Sequence, residues 1–198
     1  MKLVVASRNT NKIREMREIL SRFNIEVLSE DDLGLDLEVE ETGTTFEENA
    51  RIKAAAVLEN TGLAAVADDS GIEVAALDGR PGVYSARYGG DKALNDIQRY
   101  ELLLKEMEGK TDRRARYVSA ICCIFPDGRE ICTRGECPGT LLTFPRGTGG
   151  FGYDPIFFMP EEGVTMAQLS PERKNQISHR AIALDKFLKE LEKYNAHK

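Results

Sequence analysis

An α/β fold built on a mixed sheet is the architecture this sequence predicts, on three observations. Short apolar runs alternate with amphipathic helical stretches from residue 2 to about residue 108. Two β-prone runs, 114–125 and 129–136, are then joined by Phe125-Pro126-Asp127-Gly128, a hairpin signal. The order is therefore not a regular strand–helix alternation, so antiparallel pairs must join parallel ones. No repeat or low-complexity linker divides the chain, and residues 1–198 read as one domain.

The elements follow in order. Residues 2–6 form a buried first strand. Residues 11–23 carry Ile13, Met16, Ile19, Leu20 and Phe23 at helical spacing, with charges on the other face. A second strand at 25–28 precedes an acidic loop. Thr44 or Thr45 caps a helix running to about Asn60, with Glu47 and Glu48 in its first turn and Gly62 beyond its end. Strands are expected at 63–67 and 72–77. A loop rich in Gly, Pro and Tyr, Asp78 to Gly90, leads to a helix at about 92–108. After the hairpin, the glycine-rich segment Arg146 to Gly152 runs into a short strand at 155–158. Ser170-Pro171-Glu172 starts a helix with Pro in its first position. The last helix, about 178–195, has Ile182, Leu184, Phe187, Leu188 and Leu191 as its stripe.

With 41% hydrophobic and 30% charged residues, the composition is that of a soluble globular protein. No apolar run approaches the roughly 18 residues of a membrane span. The first apolar run turns polar at Ser7-Arg8-Asn9, too soon for a secretory core, so a cytoplasmic location is expected. A formal net charge of −6 disfavours nucleic acid as a partner. From Glu30 to Glu48 there are nine acids and no Lys or Arg, a solvated face or a source of metal ligands. Cys122, Cys123, Cys132 and Cys137 match no zinc spacing and are expected to be reduced, mostly buried small hydrophobes.

Three segments carry chemistry. Ala67-Asp68-Asp69-Ser70-Gly71 places two carboxylates at an expected strand end, where ligands sit in α/β proteins. Adjacent strand residues face opposite ways, so the two cannot share one role while the strand continues. A carboxylate facing a cleft suits Mg2+; the alternative is a polar turn. Ser7-Arg8-Asn9-Thr10-Asn11-Lys12 leads into the first helix, whose N–H groups attract an anion. The alternative there is an ordinary Asn or Ser cap. Arg146 to Pro155 has four glycines in the six positions 147–152. That density suits a backbone that bends sharply or approaches something closely. Phe151 stacks on a nucleobase or anchors the loop in the core. Near the last helix, Lys174 and Arg180 converge only if the helix breaks at 175–178, and His179 beside Arg180 pairs two donors.

Together these segments resemble the inosine triphosphate pyrophosphatases, also called XTP/dITP diphosphatases. The resemblance rests on Ser7-x-Asn9-x-x-Lys12, Glu41-Thr42-Gly43, Phe46-x-x-Asn49-Ala50 and Ala67-Asp68-Asp69-Ser70-Gly71. It continues through Pro81-Gly82-Val83-Tyr84-Ser85-Ala86-Arg87-Tyr88, Gly149-Gly150-Phe151-Gly152-Tyr153-Asp154-Pro155 and Lys174-Asn175-x-Ile177-Ser178-His179-Arg180. One departure is Arg8, where many members carry glycine, which bears on how closely the first loop wraps the phosphates.

The resemblance implies an elongated α/β fold with two lobes around a nucleotide cleft, usually as a homodimer with Tyr84 to Tyr88 at the cleft or the subunit contact. It implies hydrolysis of ITP, dITP and XTP to the monophosphate and pyrophosphate. Ser7, Arg8, Asn9, Thr10, Asn11 and Lys12 would hold the triphosphate, with Lys53 as a further contact. Glu41 and Asp69 would hold Mg2+, with Asp68 a further candidate. Asp69 would also accept the proton of the attacking water, and Ser70 would touch substrate. Phe151, Gly152, Tyr153, Asp154, Lys174, His179 and Arg180 would bind the nucleotide, mostly its base. Of these, Arg180 or His179 is expected to recognise the 6-oxo group. Competing readings are a phosphatase that removes single phosphates and a nucleotide sensor without turnover.

Overall fold

The computed structural model describes residues 1–93 and 95–196. In chain order the elements are β1 (Lys2–Val5), α1 (Thr10–Leu20), β2 (Glu26–Ser29), α2 (Phe46–Thr61), β3 (Ala65–Val74) and α3 (Asp96–Glu106). They continue with β4 (Arg114–Ile124), β5 (Glu130–Leu141), β6 (Phe157–Met159), β7 (Val164–Thr165), α4 (Pro171–Ile177) and α5 (His179–Ala196). The sheet order is β2-β1-β3-β4-β5-β6-β7. β1 pairs in parallel with β2 and β3, whereas β6 pairs antiparallel with β5 and β7, so the sheet is mixed as the sequence predicts.

The chain forms two compact units. The first comprises Met1–Asp69, Ser119–Gly135 and His179–Lys198, and the second Ser70–Val118 and Glu136–Ser178. In the first, the α1 stripe of Ile13, Met16, Ile19 and Leu20 joins Leu3 and Val5 of β1, Ile121 of β4 and Phe187 of α5 in one apolar cluster. Burying each such side chain contributes about 1.5–3 kcal/mol. Thr45 caps α2 in a reciprocal box with Glu48, and Gly62 closes the helix at φ +67°. Such a cap is worth about 1 kcal/mol. In the second unit, Ile72 and Val74 of β3, Leu103 of α3, Leu141 of β5 and Phe157 of β6 form a separate cluster.

Two expectations are corrected. The strands expected at 63–67 and 72–77 are one continuous strand, β3, so Asp68 and Asp69 lie in mid-strand and not at an exit. Their charges are tolerated there because cations from distant segments meet them. The cysteines are not all reduced: Cys122 of β4 and Cys132 of β5 form a disulfide, their Cα atoms 4.2 Å apart, while Cys123 and Cys137 are free and buried. The turn at 125–128 folds β5 back beside β4 and brings together residues whose spacing matches no local cysteine motif. The break expected before Arg180 is present. α4 ends at Ile177, and Ser178 is extended, with φ −68° and ψ 160°.

Candidate active site

The chemistry-bearing residues of the first unit gather around β3. Because strand side chains alternate, Asp68 meets partners from α1 and α5, and Asp69 meets partners from α2. Asn9 caps α1 by accepting the N–H groups of Asn11 and Lys12, at 3.0 and 3.2 Å. That is the ordinary cap weighed for this loop. It places Lys12 in the first turn, with Nζ 2.8 Å from Asp68 Oδ2. Arg8 turns to Asp36 of the acidic loop.

Asp68 is completely buried as a side chain. Ser119 of β4 donates to Oδ1, and Arg180 donates to Oδ2 at 3.0 Å. Burial alone would raise the Asp68 pKa, but Arg180 and Lys12 outweigh it and hold the carboxyl well below the usual carboxylate range. With both oxygens engaged, Asp68 is a hub that orients cations. Arg180, 1% exposed, also donates to the buried Glu15 of α1. Expected to read the base, its guanidinium instead meets two carboxylates of its own unit. His179, buried, opens α5 beside it.

On the other side of β3, Lys53 of α2 donates to Asp69 Oδ1 and to Glu41 Oε1, both at 2.8 Å. Asn49 Nδ2 lies 3.5 Å from Asp69 Oδ2, and Asn49 Oδ1 accepts the Gly43 N–H at 2.8 Å. A Cβ on Gly43 would come within 2.6 Å of that amide oxygen, so the approach needs glycine. Burial raises the Asp69 pKa, against the pull of Lys53 and Lys12. Two carboxylates converging on one ammonium form a hard-oxygen set that suits a divalent cation. Lys12 and Lys53 also both reach the Asp68 carbonyl, at 3.4 and 3.1 Å. Each ammonium is also ion-paired, Lys12 to Asp68 and Lys53 to Glu41 and Asp69, so the lysines and carboxylates form one compensated charge cluster. Ser70 follows on β3, half-buried.

The second unit holds the glycine-rich segment. Asp154, 2% exposed, accepts the Phe151 N–H at 2.9 Å and the Lys174 ammonium at 2.7 Å on Oδ2. Gly150, at φ +70°, passes so close that a Cβ would sit 2.0 Å from that oxygen. Lys174 Nζ lies 4.5 Å from the centroid of the Phe151 ring, which stays partly exposed. Gly152 N–H donates to Asp96 of α3 at 2.7 Å, and the Tyr153 hydroxyl donates to the Ser85 carbonyl at 2.8 Å. Ser170 caps α4 and sets the position of Lys174. Thus Phe151, Asp154 and Lys174 are brought together, whereas Tyr153 faces the core.

Glu15 and Ser119 lie outside the motifs legible in the sequence, and Asn49 stands only within one of them. Glu15 had a readable signal, since it is three residues after Lys12 and shares its helix face.

Paired carboxylates, two lysines on one backbone carbonyl and an aromatic–lysine pair, in a mixed α/β protein, are groups able to bind a polyphosphorylated nucleotide and a divalent cation. Residues 3–190 match the Ham1 family model, and the chain belongs to the Ham1 family. It is 49% identical over 185 residues to the dITP/XTP pyrophosphatase of Geobacter sulfurreducens, covering 92% of each chain. The Ham1 protein of Staphylococcus aureus superposes with a TM-score of 0.87 at 42% identity, over 98% of this chain and 100% of that one. A HAM1 protein from Coxiella burnetii gives 0.88 at 39% identity, over 98% and 99%.

Proposed function

We propose that this protein is a nucleoside triphosphate pyrophosphatase that cleaves dITP, ITP and XTP between the α- and β-phosphates, releasing the monophosphate and pyrophosphate. The observation that carries the reading is the pairing of Glu41 and Asp69 on Lys53, with Lys12 reaching the same backbone carbonyl. The activity in the name of the Geobacter relative supports it.

Glu41 and Asp69 would hold Mg2+, which when bound supplies Lewis-acid stabilisation of phosphate oxygens. Asp69 accepts the proton of the attacking water. Lys12 and Lys53 stabilise the charge of the leaving pyrophosphate. The loop from Ser7 to Asn11 lies against the phosphates beside Lys12, with Asn9 capping the α1 N–H groups of Asn11 and Lys12.

Phe151 stacks on the purine, and Lys174 donates to its 6-oxo group. An ammonium has no acceptor, so adenine's 6-amino group meets it donor to donor, at about 1–3 kcal/mol. The base-reading role thus moves from Arg180 to Lys174, while Arg180 acts through Asp68 and Lys12. The protein is taken to work as a cytoplasmic homodimer. The subunit contact would lie at Tyr84 to Tyr88, where Tyr84 is 58% exposed. The negative net charge fits a small nucleotide as partner and not nucleic acid.

A panel of nucleotides with Mg2+, scored for pyrophosphate and orthophosphate, tests the reading. Pyrophosphate release from dITP and XTP, in large excess over dATP, is expected. Orthophosphate release would make it a phosphatase, and binding without turnover a sensor.

A further inference from the structure

The base platform of the second unit contains one further buried polar group, the Tyr117 hydroxyl. Tyr117 of β4 is 6% exposed, and its hydroxyl donates to Asp154 Oδ1 at 3.1 Å. Its ring packs on Phe157, with centroids 4.5 Å apart. The other Asp154 oxygen takes both the Phe151 N–H and the Lys174 ammonium. A carboxylate held on one oxygen pivots readily, because its terminal torsion is broad and nearly two-fold. The further hydrogen bond from Tyr117 on the opposite oxygen restricts that freedom. Burial keeps the Tyr117 hydroxyl protonated, its pKa pushed well above the usual phenol value, so it remains a donor at every working pH.

We infer that Tyr117 is a positioning residue for purine specificity: by locking the Asp154 carboxylate, it sets the direction in which Lys174 donates above the Phe151 ring. The inference rests on the reading that Phe151 and Lys174 take the base. A Lys174 ammonium tied to a fixed carboxylate presents a defined donor, which discriminates a 6-oxo from a 6-amino purine. Tied to a pivoting carboxylate, it remains a cation near the ring but loses direction. Charge attraction to the nucleotide then persists while selectivity falls.

Tyr117→Phe keeps the ring against Phe157 and removes only the hydroxyl. Steady-state kinetics of the Mg2+-loaded enzyme with dITP and dATP should show the KM for dITP rising about tenfold, the worth of a directed hydrogen bond to a charged group. The kcat should stay within about twofold, so that the dITP-to-dATP ratio of kcat/KM falls by about the same tenfold. Phe157→Leu is the structural control. It loosens the same packing, and should lower the melting temperature without moving the ratio. Lys174→Met tests the underlying reading and should lose selectivity. In that background Tyr117→Phe should add nothing further, since it acts through Lys174. If Lys174→Met loses selectivity but Tyr117→Phe keeps it, the positioning role is overturned and the base platform stands. If Lys174→Met keeps full selectivity, the platform reading falls and the positioning role with it. Equal losses on dITP and dATP in Tyr117→Phe, tracking a lower melting temperature, would reduce Tyr117 to packing.

Discussion

Arg180→Gln separates a buried electrostatic hub from a base reader. The guanidinium is 1% exposed and donates to Asp68 at 3.0 Å and to Glu15. Glutamine is shorter and uncharged, so Glu15 and Asp68 both lose the guanidinium, while Asp68 retains Lys12 and Ser119. Breaking a buried pair by removing one partner typically costs about 3–5 kcal/mol, because the charge left behind stays desolvated. At roughly 2–4 °C per kcal/mol for a chain of this size, the melting temperature should fall by about 6–20 °C. The loss should depend on pH in a defined sense. Arg180 helps hold the Asp68 pKa below its unfolded value, so its stabilisation is fully present above about pH 4 and is lost as pH falls from there through the lower pKa of the folded state. The gap between wild type and variant should be widest near neutrality and narrow in acid. Turnover should drop by the same factor on dITP and dATP, since a displaced Asp68 misplaces Lys12 and not the base. Adding Glu15→Gln to the variant should recover part of the lost stability. Scanning calorimetry and kcat/KM on both nucleotides provide the measurements. A dITP-to-dATP ratio that collapses while the melting temperature holds would refute the hub and return Arg180 to the base.

Asp69→Asn should lower kcat at least about 100-fold with the fold intact, the usual scale for a general base; near-normal turnover would remove Asp69 from the chemistry. Glu41→Gln should raise the Mg2+ concentration needed for half-maximal rate, and an unchanged titration would exclude it as a ligand. Lys12→Ala should weaken inhibition by pyrophosphate far more than by IMP; equal weakening would detach α1 from the phosphate tail. A Cβ at Gly135 would lie 2.1 Å from the His179 carbonyl oxygen and 2.4 Å from the Ala183 nitrogen, both backbone atoms of α5. Gly135→Ala should therefore destabilise by about 1–3 kcal/mol in urea unfolding, and a neutral result would contradict that close approach.

Helix ends and helix stripes in this protein were legible because they depend on neighbours in sequence. The Thr45–Glu48 box, the Ser170 cap before Pro171, Gly62 past the end of α2 and the 13-16-19-20 stripe of α1 each involve residues within a few positions. The candidate chemistry was legible for a related reason. Asp68-Asp69, Glu41, Lys12 and the glycine-rich run are residue types that bind phosphate or a hard cation, grouped in recognisable motifs, whereas Lys53 entered only through the family resemblance. What the tertiary structure alone decided was which charge meets which. Asp68 is joined to Lys12 across 56 positions and to Arg180 across 112, and Arg180 to Glu15 across 165. None of those separations leaves a periodic trace, so two carboxylates in a row read as a strand exit when they are the buried middle of β3. Likewise, Tyr117 looks in sequence like any aromatic on a strand, and only folding places its hydroxyl on Asp154. Local propensity acts over one turn or one pleat, whereas the desolvation of a charge is answered by whatever cation the fold carries to it.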